Sequence, residues 1–432
     1  MSTSARTLRI GLAGVGVVGQ GLLKFLASSP DFAPTGDRAV VTGVSARDRQ
    51  RKRDVDLSGL EWFDDPVALA QSPTNDVFVE LIGGSEGPAR AAVEAALSAG
   101  KPVITANKAL LAIHGQALAL LAEANNVPLL FEAAVMGGTP AVKMLREGLV
   151  GEQVNLVAGI LNGTCNFILS DMEASERSFA EVLADAQARG FAEADPTTDI
   201  GGFDAGHKIA LLAALAFGGA PNFAAAEIEG IERVELIDIK LAHDLGFRIK
   251  LIAQASRQGG RASVRVNPAL VPLSHPMAQA GGALNALFIE GERIGRIFLQ
   301  GPGAGPGPTA AAVAADIADL MTGARRPVFQ RAAAHLAPLT AADSASRQTA
   351  AFIRLMVTDK PGVIAAVTDA LAKAGLSIDS FLQRSVQQHT GLVPIVLTTQ
   401  VASETAIADA VEHIAALDAV VDRPRMIRIA KI

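Results

Sequence analysis

The sequence predicts an α/β chain in three parts, and three observations carry that prediction. Residues 1–138 alternate apolar strands with helical patterns, the mark of βαβ units over a parallel sheet. Residues 139–308 change texture and mix helices with hairpin-like strands, as an α+β domain does. Residues 351–432 read strand, helix, strand, strand, helix, strand, the ferredoxin-like order. A length of 432 residues agrees, since ~150 residues per domain gives about three domains.

In the first part, "TLRIGLAG" is expected as a strand and "VVGQGLLKFLA" as a helix with apolar residues at helical spacing. The strands "AVVTGVSA", "DVFVELIG", "KPVITA" and "VPLLFEAAV" follow, with helices over 87–98 and 108–124 between them. The second part holds helices at 178–189 and 204–217 and the strands "NLVAGIL", "RASVRV", "ALNALFIE" and "RIGRIFLQ", in an open antiparallel sheet. The last two strands flank "GER", a hairpin signal. "GPGAGPGPT" (301–309) is Gly/Pro punctuation, after which an alanine-rich helix over 309–323 is expected to pack back on the first part. Residues 324–350 read as a linker. The last part opens with "TAAFIRLMVTD" and "KPGVIAAVTDALAKAG", continues through "LSIDSFLQRSV" and "LVPIVLTTQ" to a helix at 403–416, and closes with "RPRMIRIAKI". It is expected to form a separate unit.

Composition narrows the function classes. The net charge, 38 − 44 = −6, lacks the basic footprint that general nucleic-acid binding needs. Cys165 is the one cysteine, so no intramolecular disulfide can form and a reducing cytoplasm is expected. The N-terminus does not read as a signal peptide. The longest apolar run, 209–217, falls well short of a ~20-residue membrane span. Tyrosine is absent, which removes tyrosine acid–base chemistry.

"GLAGVGVVGQG" places Gly14-x-Gly16-x-x-Gly19 directly after a strand and at the start of a helix. The first glycine makes the tight turn, the second admits a pyrophosphate to the backbone, and the third lets helix and strand pack closely. The anion then sits on the helix N-terminus, at Val17 and Val18. This is the fingerprint of a Rossmann dinucleotide-binding domain; a glycine-rich turn without a ligand is the alternative. NAD sites place an acid near the end of the second strand, whereas NADP sites use arginine. Here Ser45 and Ala46 stand where the acid is expected, and Arg47 and Arg49 follow. NADP(H) is therefore the preferred cofactor, with NAD(H) tolerated; a solvated basic loop is the competing account of "RDRQRKR".

"EADPTTDIGGFDAGHK" (193–208) gathers Glu193, Asp195, Asp199, Asp204, His207 and Lys208. A calcium loop needs an Asp-x-Asp-x-Asp-Gly pattern ending in glutamate, and aspartates spaced four and five apart do not supply it. Zinc wants histidine and cysteine ligands, and only His207 is near. Two readings remain. One is a helix start in which Asp204 favours the dipole and Lys208, four residues on, pairs with it. The other is a site for hydride chemistry. A carbonyl that receives hydride becomes an alkoxide and needs a proton, which a lysine of lowered pKa can donate. Carboxylates beside it suit a substrate with an ammonium group.

Taken together, these motifs resemble homoserine dehydrogenase in the form that carries a C-terminal ACT domain. The resemblance covers nearly the whole chain: "GLAGVGVVG", "VSARDR", "ELIGG", "VITANKALLA", "FEAAVMGGTP", "GILNGTCNFIL", "GFAEADPTTDIGGFDAGHK", "GPGAGPGPTA" and the terminal pattern. It implies reduction of L-aspartate 4-semialdehyde to L-homoserine with NAD(P)H. It implies that Lys208 is the catalytic lysine, that Glu193, Asp199 and Asp204 bind homoserine, that Asp204 also orients the reacting end, and that Lys108 of "TANK" is a second lysine of the site. Further cofactor contacts are implied at Gly84, Thr105, Lys108, Gly190, Glu193 and Gly305. "EAAVMGGT" resembles the family's monovalent-cation loop, with Glu132, Val135, Gly137 and Thr139 binding sodium largely through backbone carbonyls. The ACT unit implies threonine feedback and a homodimer or homotetramer, with the middle part serving catalysis and dimerisation; a domain that only dimerises is the alternative. Cys165 is expected to be a packed small residue. Two other functions compete: aspartate-semialdehyde dehydrogenase, which needs a thiolate, and a nucleotide-binding amino-acid sensor without turnover.

Overall fold

The computed structural model describes residues 6–30, 32–258, 261–340, 347–383 and 392–432. The end of the strand expected over "LSIDSFLQRSV" and part of the linker at 324–350 lie outside them.

The first sheet is parallel throughout. Its strands β1 (Thr7–Ala13), β2 (Arg38–Ser45), β3 (Glu61–Phe63), β4 (Val77–Glu80), β5 (Val103–Thr105) and β6 (Leu129–Leu130) run in the order β3-β2-β1-β4-β5-β6. β1 pairs with β2 on one side and β4 on the other, so the order reverses at β1, and ligands of such sheets bind outside the carboxyl ends of the strands at that point. β6 is shorter than "VPLLFEAAV" suggested. The chain leaves the sheet after Leu130 and turns at Glu132–Ala134, because the buried Glu132 carboxylate reaches forward to accept the Val142 and Lys143 N–H groups at 3.1 and 2.7 Å. The helix after the Gly/Pro stretch starts earlier than expected, at Pro306, a residue suited to the first helical position. It spans Pro306–Thr322, and its Ala310, Val313 and Ile317 share one core with Ile10, Leu12, Val44 and Val79 of the first sheet.

The second sheet has eleven strands. β7 (Val154–Ile160), β9 (Phe247–Gln258), β10 (Arg261–Pro272), β11 (Leu284–Gly291) and β12 (Gly295–Pro302) are antiparallel neighbours, and the short β8 (Glu227–Ile228) lies parallel to β10. The C-terminal strands β13 (Gln348–Thr358), β14 (Ile378–Gln383), β15 (Leu392–Thr399), β16 (Ala402–Ser403) and β17 (Arg425–Ile429) carry the order β17-β13-β15-β14. This is the ferredoxin-like arrangement, with its own core of Ile353, Leu355, Val367, Leu371, Ile407 and Ile414. It is not a separate sheet. β17 pairs in parallel with β10, Ala269 opposite Arg428 and Leu270 opposite Ile429, so the C-terminal strands extend the middle sheet. Unpaired strand edges seek partners, and here each edge satisfies the other. No helix among the described residues is long and apolar enough to cross a membrane.

Candidate active site

Helix Phe203–Phe217 buries nearly its whole length, including Ile209, Leu211, Leu212 and Leu215. Its polar residues gather at the start, where Asp204 is buried as well. Asp204 and Lys208 lie one turn apart on one face, as i,i+4 residues must, with Asp204 Oδ2 2.7 Å from Lys208 Nζ. Lys208 Nζ also donates to the Leu161 carbonyl at 2.7 Å, and Lys108 Nζ stands 3.3 Å from the other Asp204 oxygen. Burial alone would push the Asp204 carboxyl up. The Lys208 and Lys108 ammonium groups outweigh it, helped by hydrogen bonds from Lys208 and Asn162, and hold the carboxyl well below the usual range.

Asn162 joins the cluster from another element. It caps helix Gly163–Ser175, its Oδ1 accepting the Cys165 N–H at 2.8 Å. Its Nδ2 donates to Asp199 Oδ1 at 2.8 Å and to Asp204 Oδ2 at 2.9 Å. Its signal in the sequence is local: in "GILNGTCNFIL" an asparagine stands between a strand and a helix, where caps sit. Asp199, on the short helix Thr197–Ile200, has its carboxyl raised by burial, against the Asn162 hydrogen bond and with the Asp204 charge adding to the rise. Cys165 is buried, its Sγ donating to the Asp199 carbonyl at 3.1 Å. Burial and the neighbouring carboxylates push its thiol well up, the opposite of what a thiolate nucleophile needs. His207 packs its ring on Phe223 at 4.2 Å, and burial lowers its pKa.

Lys108 comes from the first part of the chain, at the start of helix Lys108–Ala124. A network that sequence reasoning missed sets this turn. Glu80, fully buried at the end of β4, accepts from Thr105 Oγ1 at 2.6 Å and from the Ile82 and Gly83 N–H groups at 2.7 and 2.9 Å. Thr105 Oγ1 accepts the Asn107 N–H at 2.9 Å, and Asn107 Nδ2 donates to the Gly84 carbonyl at 2.7 Å. Gly84 and Thr105 thus belong to one framework at the carboxyl ends of β4 and β5. A glutamate ending a buried strand, in "VELIGG", was the signal.

The glycine turn has the form that a dinucleotide needs. Gly14 has φ 100°, and a side-chain carbon there would meet the Leu81 carbonyl at 2.5 Å, whereas one at Gly16 would meet nothing within 4 Å. Helix Val17–Ser28 starts without a side-chain cap, leaving the first N–H groups, at Val17 and Val18, to an anion. Gly19 packs so closely that its added carbon would stand 2.1 Å from the Gly14 oxygen. β2 ends in Ser45, a residue without a carboxylate, whose carbonyl accepts the Gly14 N–H at 2.8 Å. Arg47 and Arg49 are exposed beyond it, with the Arg49 guanidinium 5.6 Å above the Trp62 ring. Arg53, unremarked in the sequence, lies over the same ring at 5.5 Å and donates to the carbonyls of Val15, Arg51 and Asp48 at 3.2, 2.9 and 2.6 Å, tying the basic loop to the glycine turn.

Glu193 is exposed, and only its carbonyl has a partner among the described residues, the Gln187 amide at 3.1 Å. Gly190 (φ 75°) follows helix Phe179–Ala188, and Gly305 (φ 124°) precedes helix Pro306–Thr322. The loop of Glu132, Val135, Gly137 and Thr139 packs on the Gly301–Pro308 stretch, where a carbon added at Gly137 would stand 2.8 Å from Gly303. The Glu132 and Thr139 carbonyls accept the Val135 and Ala141 N–H groups at 3.3 and 2.7 Å, while those of Val135 and Gly137 accept no hydrogen bond among the described residues. Uncommitted carbonyls suit a hard monovalent cation; the Glu132 carboxylate is already taken by the two N–H groups named above.

Comparisons with known proteins agree with one another. Residues 14–132 match the profile of the homoserine dehydrogenase NAD-binding domain, 140–318 that of homoserine dehydrogenase, and 351–418 that of the ACT domain. A homoserine dehydrogenase of Pseudomonas aeruginosa is 38% identical over 431 residues, covering 96% of this chain and 97% of the relative. The crystal structure of a homoserine dehydrogenase from Thiobacillus denitrificans superposes with a TM-score of 0.91 at 39% identity, over 99% of each chain. A hyperthermophilic archaeal homoserine dehydrogenase, solved in complex with NADPH, covers 74% of this chain and 99% of its own, with a TM-score of 0.64 at 26% identity.

Proposed function

The chain belongs to the homoserine dehydrogenase family, with a C-terminal ACT domain, and on that premise we propose that Lys208 is the acid–base group of the reaction and that Asp199 and Asp204 hold the substrate amine. The observation that carries this reading is the pair of acceptors on Lys208. Its ammonium has three donors, and the Leu161 carbonyl and Asp204 take two of them, both at 2.7 Å. The third serves the substrate oxygen. When bound, the nicotinamide supplies or accepts the hydride. As negative charge develops on the aldehyde oxygen of L-aspartate 4-semialdehyde, Lys208 stabilises it and donates a proton; in L-homoserine oxidation it takes the proton back. Lys108, at the other Asp204 oxygen, keeps that carboxylate ionised and is assigned as the second lysine of the site, near substrate and cofactor. Glu193 is retained as a further amine and cofactor ligand on the family resemblance alone.

NADP(H) is the preferred cofactor. Gly14, Gly16, Val17, Val18 and Gly19 receive the pyrophosphate, and Arg47 and Arg49 meet the 2′-phosphate beyond a strand end without a carboxylate. Gly84, Thr105, Gly190 and Gly305 line the rest of the cofactor site. Sodium is assigned to the carbonyls of Glu132, Val135, Gly137 and Thr139, of which Val135 and Gly137 are uncommitted. L-threonine is assigned to the ACT domain, where a cavity of about 420 Å³ lies between Thr358–Ala365 and β15. The enzyme is placed in the cytoplasm as a homodimer or homotetramer.

One assay tests the reading. L-homoserine and NADP+ are supplied and NADPH is followed by its absorbance, after which L-threonine is added. NADPH formation that L-threonine slows is expected. Absence of reduction with either nicotinamide cofactor overturns the reading, and turnover indifferent to L-threonine removes the feedback assignment.

A further inference from the structure

The turn that bears Asp204 leans on a two-residue strand. A carbon added at Gly206 would stand 2.6 Å from Ile228 Cδ1, and one at Gly202 would stand 3.1 Å from Ile228 Cγ2. Ile228 therefore lies against both ends of the turn that contains Asp204. The same segment meets the loop before it, where the Ile231 N–H donates to the Ile200 carbonyl at 2.8 Å, next to Asp199. β8 has little support of its own, pairing with β10 only at Arg265 and Val266 among the described residues.

What fixes β8 comes from the C-terminal domain and from Arg347, the residue that leads into its first strand. Arg347 Nη2 donates to both carboxylate oxygens of Glu227 at 2.6 Å. Glu229, on the other side of Ile228, faces Arg425 at 3.4 Å and Arg428 at 3.6 Å. Arg428 and Arg347 also reach Glu404, at the start of helix Glu404–Ala415, at 3.2 and 3.8 Å. The two grips differ. The one on Glu227 is short and two-pronged, while that on Glu229 is long, and Arg425 keeps Nε and Nη2 buried without a hydrogen-bond partner among the described residues. The second grip has donors in reserve, so it can tighten without breaking another bond.

We propose that Ile228 is a positioning residue for Asp204 and Lys208 and that Arg347, Arg425 and Arg428 set its place, so that the ACT domain acts on the substrate half of the site and leaves the cofactor half alone. The inference rests on reading Asp204 and Lys208 as substrate-site groups. Close-packed side chains transmit displacement rather than absorb it. A shift of Ile228 is felt at Gly202 and Gly206, hence at the Asp204 carboxylate, whereas the glycine turn and basic loop lie on the first sheet.

The test compares Glu227→Gln, Ile228→Ala, Arg347→Gln and Arg347→Lys in the full-length enzyme, by steady-state kinetics and thermal midpoint. Glu227→Gln, Ile228→Ala and Arg347→Gln are expected to lower kcat/KM for L-homoserine about ten-fold or more, with KM for NADP+ held within about two-fold. Arg347→Lys is expected to regain part of the loss. Ile228→Ala removes a half-buried packing contact, so if it does not fold, Glu227→Gln carries the test, its side chain being 52% exposed. Unchanged kcat/KM for L-homoserine, or homoserine and cofactor constants worsening together in step with the thermal midpoint, overturns the inference. Parent-level turnover in Lys208→Ala overturns the reading beneath it, and the inference with it.

Discussion

The side-chain amide of Asn162 divides its two ends between two jobs: Oδ1 caps its own helix at Cys165 N–H, and Nδ2 donates to Asp204 Oδ2 at 2.9 Å. A helix cap and a contact to the proposed substrate carboxylates therefore share one residue, and substitution can separate them. Serine keeps a cap oxygen but has no amide to offer Asp199 and Asp204. Asn162→Ser is expected to leave the thermal midpoint near the parent's and to raise KM for L-homoserine about ten-fold. Asn162→Ala should show the same kinetic defect and lose about 1 kcal/mol of stability as well. Chemical denaturation beside steady-state kinetics checks both; a normal homoserine KM in Asn162→Ser would show that the carboxylates need no help from the amide.

In the proposed mechanism Lys208 supplies the proton, oriented by its hydrogen bonds to Asp204 and the Leu161 carbonyl. Lys208→Ala is expected to lower kcat by ~100-fold or more with NADPH affinity, measured by fluorescence titration, nearly unchanged. A variant turning over at the parent rate would remove Lys208 from the chemistry.

Gly14 and Gly16 are two residues apart, yet alanine should act on them in opposite ways. At Gly14 the new carbon meets the Leu81 carbonyl at 2.5 Å on a backbone of φ 100°, so Gly14→Ala is expected to lower the thermal midpoint. At Gly16 nothing lies within 4 Å, so Gly16→Ala should fold normally and weaken NADP+ binding about ten-fold, because the added carbon stands where the pyrophosphate approaches. Normal cofactor affinity in Gly16→Ala would place the dinucleotide elsewhere.

Glu132 and Asp316 form a buried acidic pair, with the Glu132 N–H donating to Asp316 Oδ2 at 2.9 Å. Burial pushes Glu132 up to about 7, with the Asp316 charge adding to it, and burial pushes Asp316 up to about 6 against the pull of Lys143. Unfolded carboxylates titrate near ~4. Between there and neutrality the folded state binds more protons than the unfolded one, so stability falls as pH rises through this window. Asp316→Asn is expected to flatten that fall. Thermal midpoints from pH ~4.5 to ~7.5 decide it, since an equally steep profile in the variant would mean that other groups set the slope.

Much of this architecture is legible in local pattern. Strand–helix alternation places five of the six parallel strands; the three-residue β3 is too short to show a pattern. The glycine spacing marks the turn after β1, and the four-residue spacing puts Asp204 and Lys208 on one helix face. Such features depend on backbone period alone, and "EADPTTDIGGFDAGHK" keeps its acids and lysine together whatever the rest of the chain does. Its partners are a different matter. Lys108 and Asn162 reach Asp204 from a helix start in the first domain and from the end of β7. Glu80 organises the Lys108 turn through Thr105 and Asn107. No periodicity encodes which helix start faces which.

The sequence by itself therefore determined the class of fold, the cofactor turn and the polar face of one helix, because these follow from short-range sterics and hydrogen bonding. Only the tertiary structure decided that Asp204 lies between two lysines and an asparagine, that Glu193 is exposed, and that the C-terminal strands run on from the middle sheet through β17 and β10. Those outcomes depend on long-range packing, in which a buried carboxylate must find donors and an open strand edge a partner, and on which of several suitable partners the whole fold brings within reach.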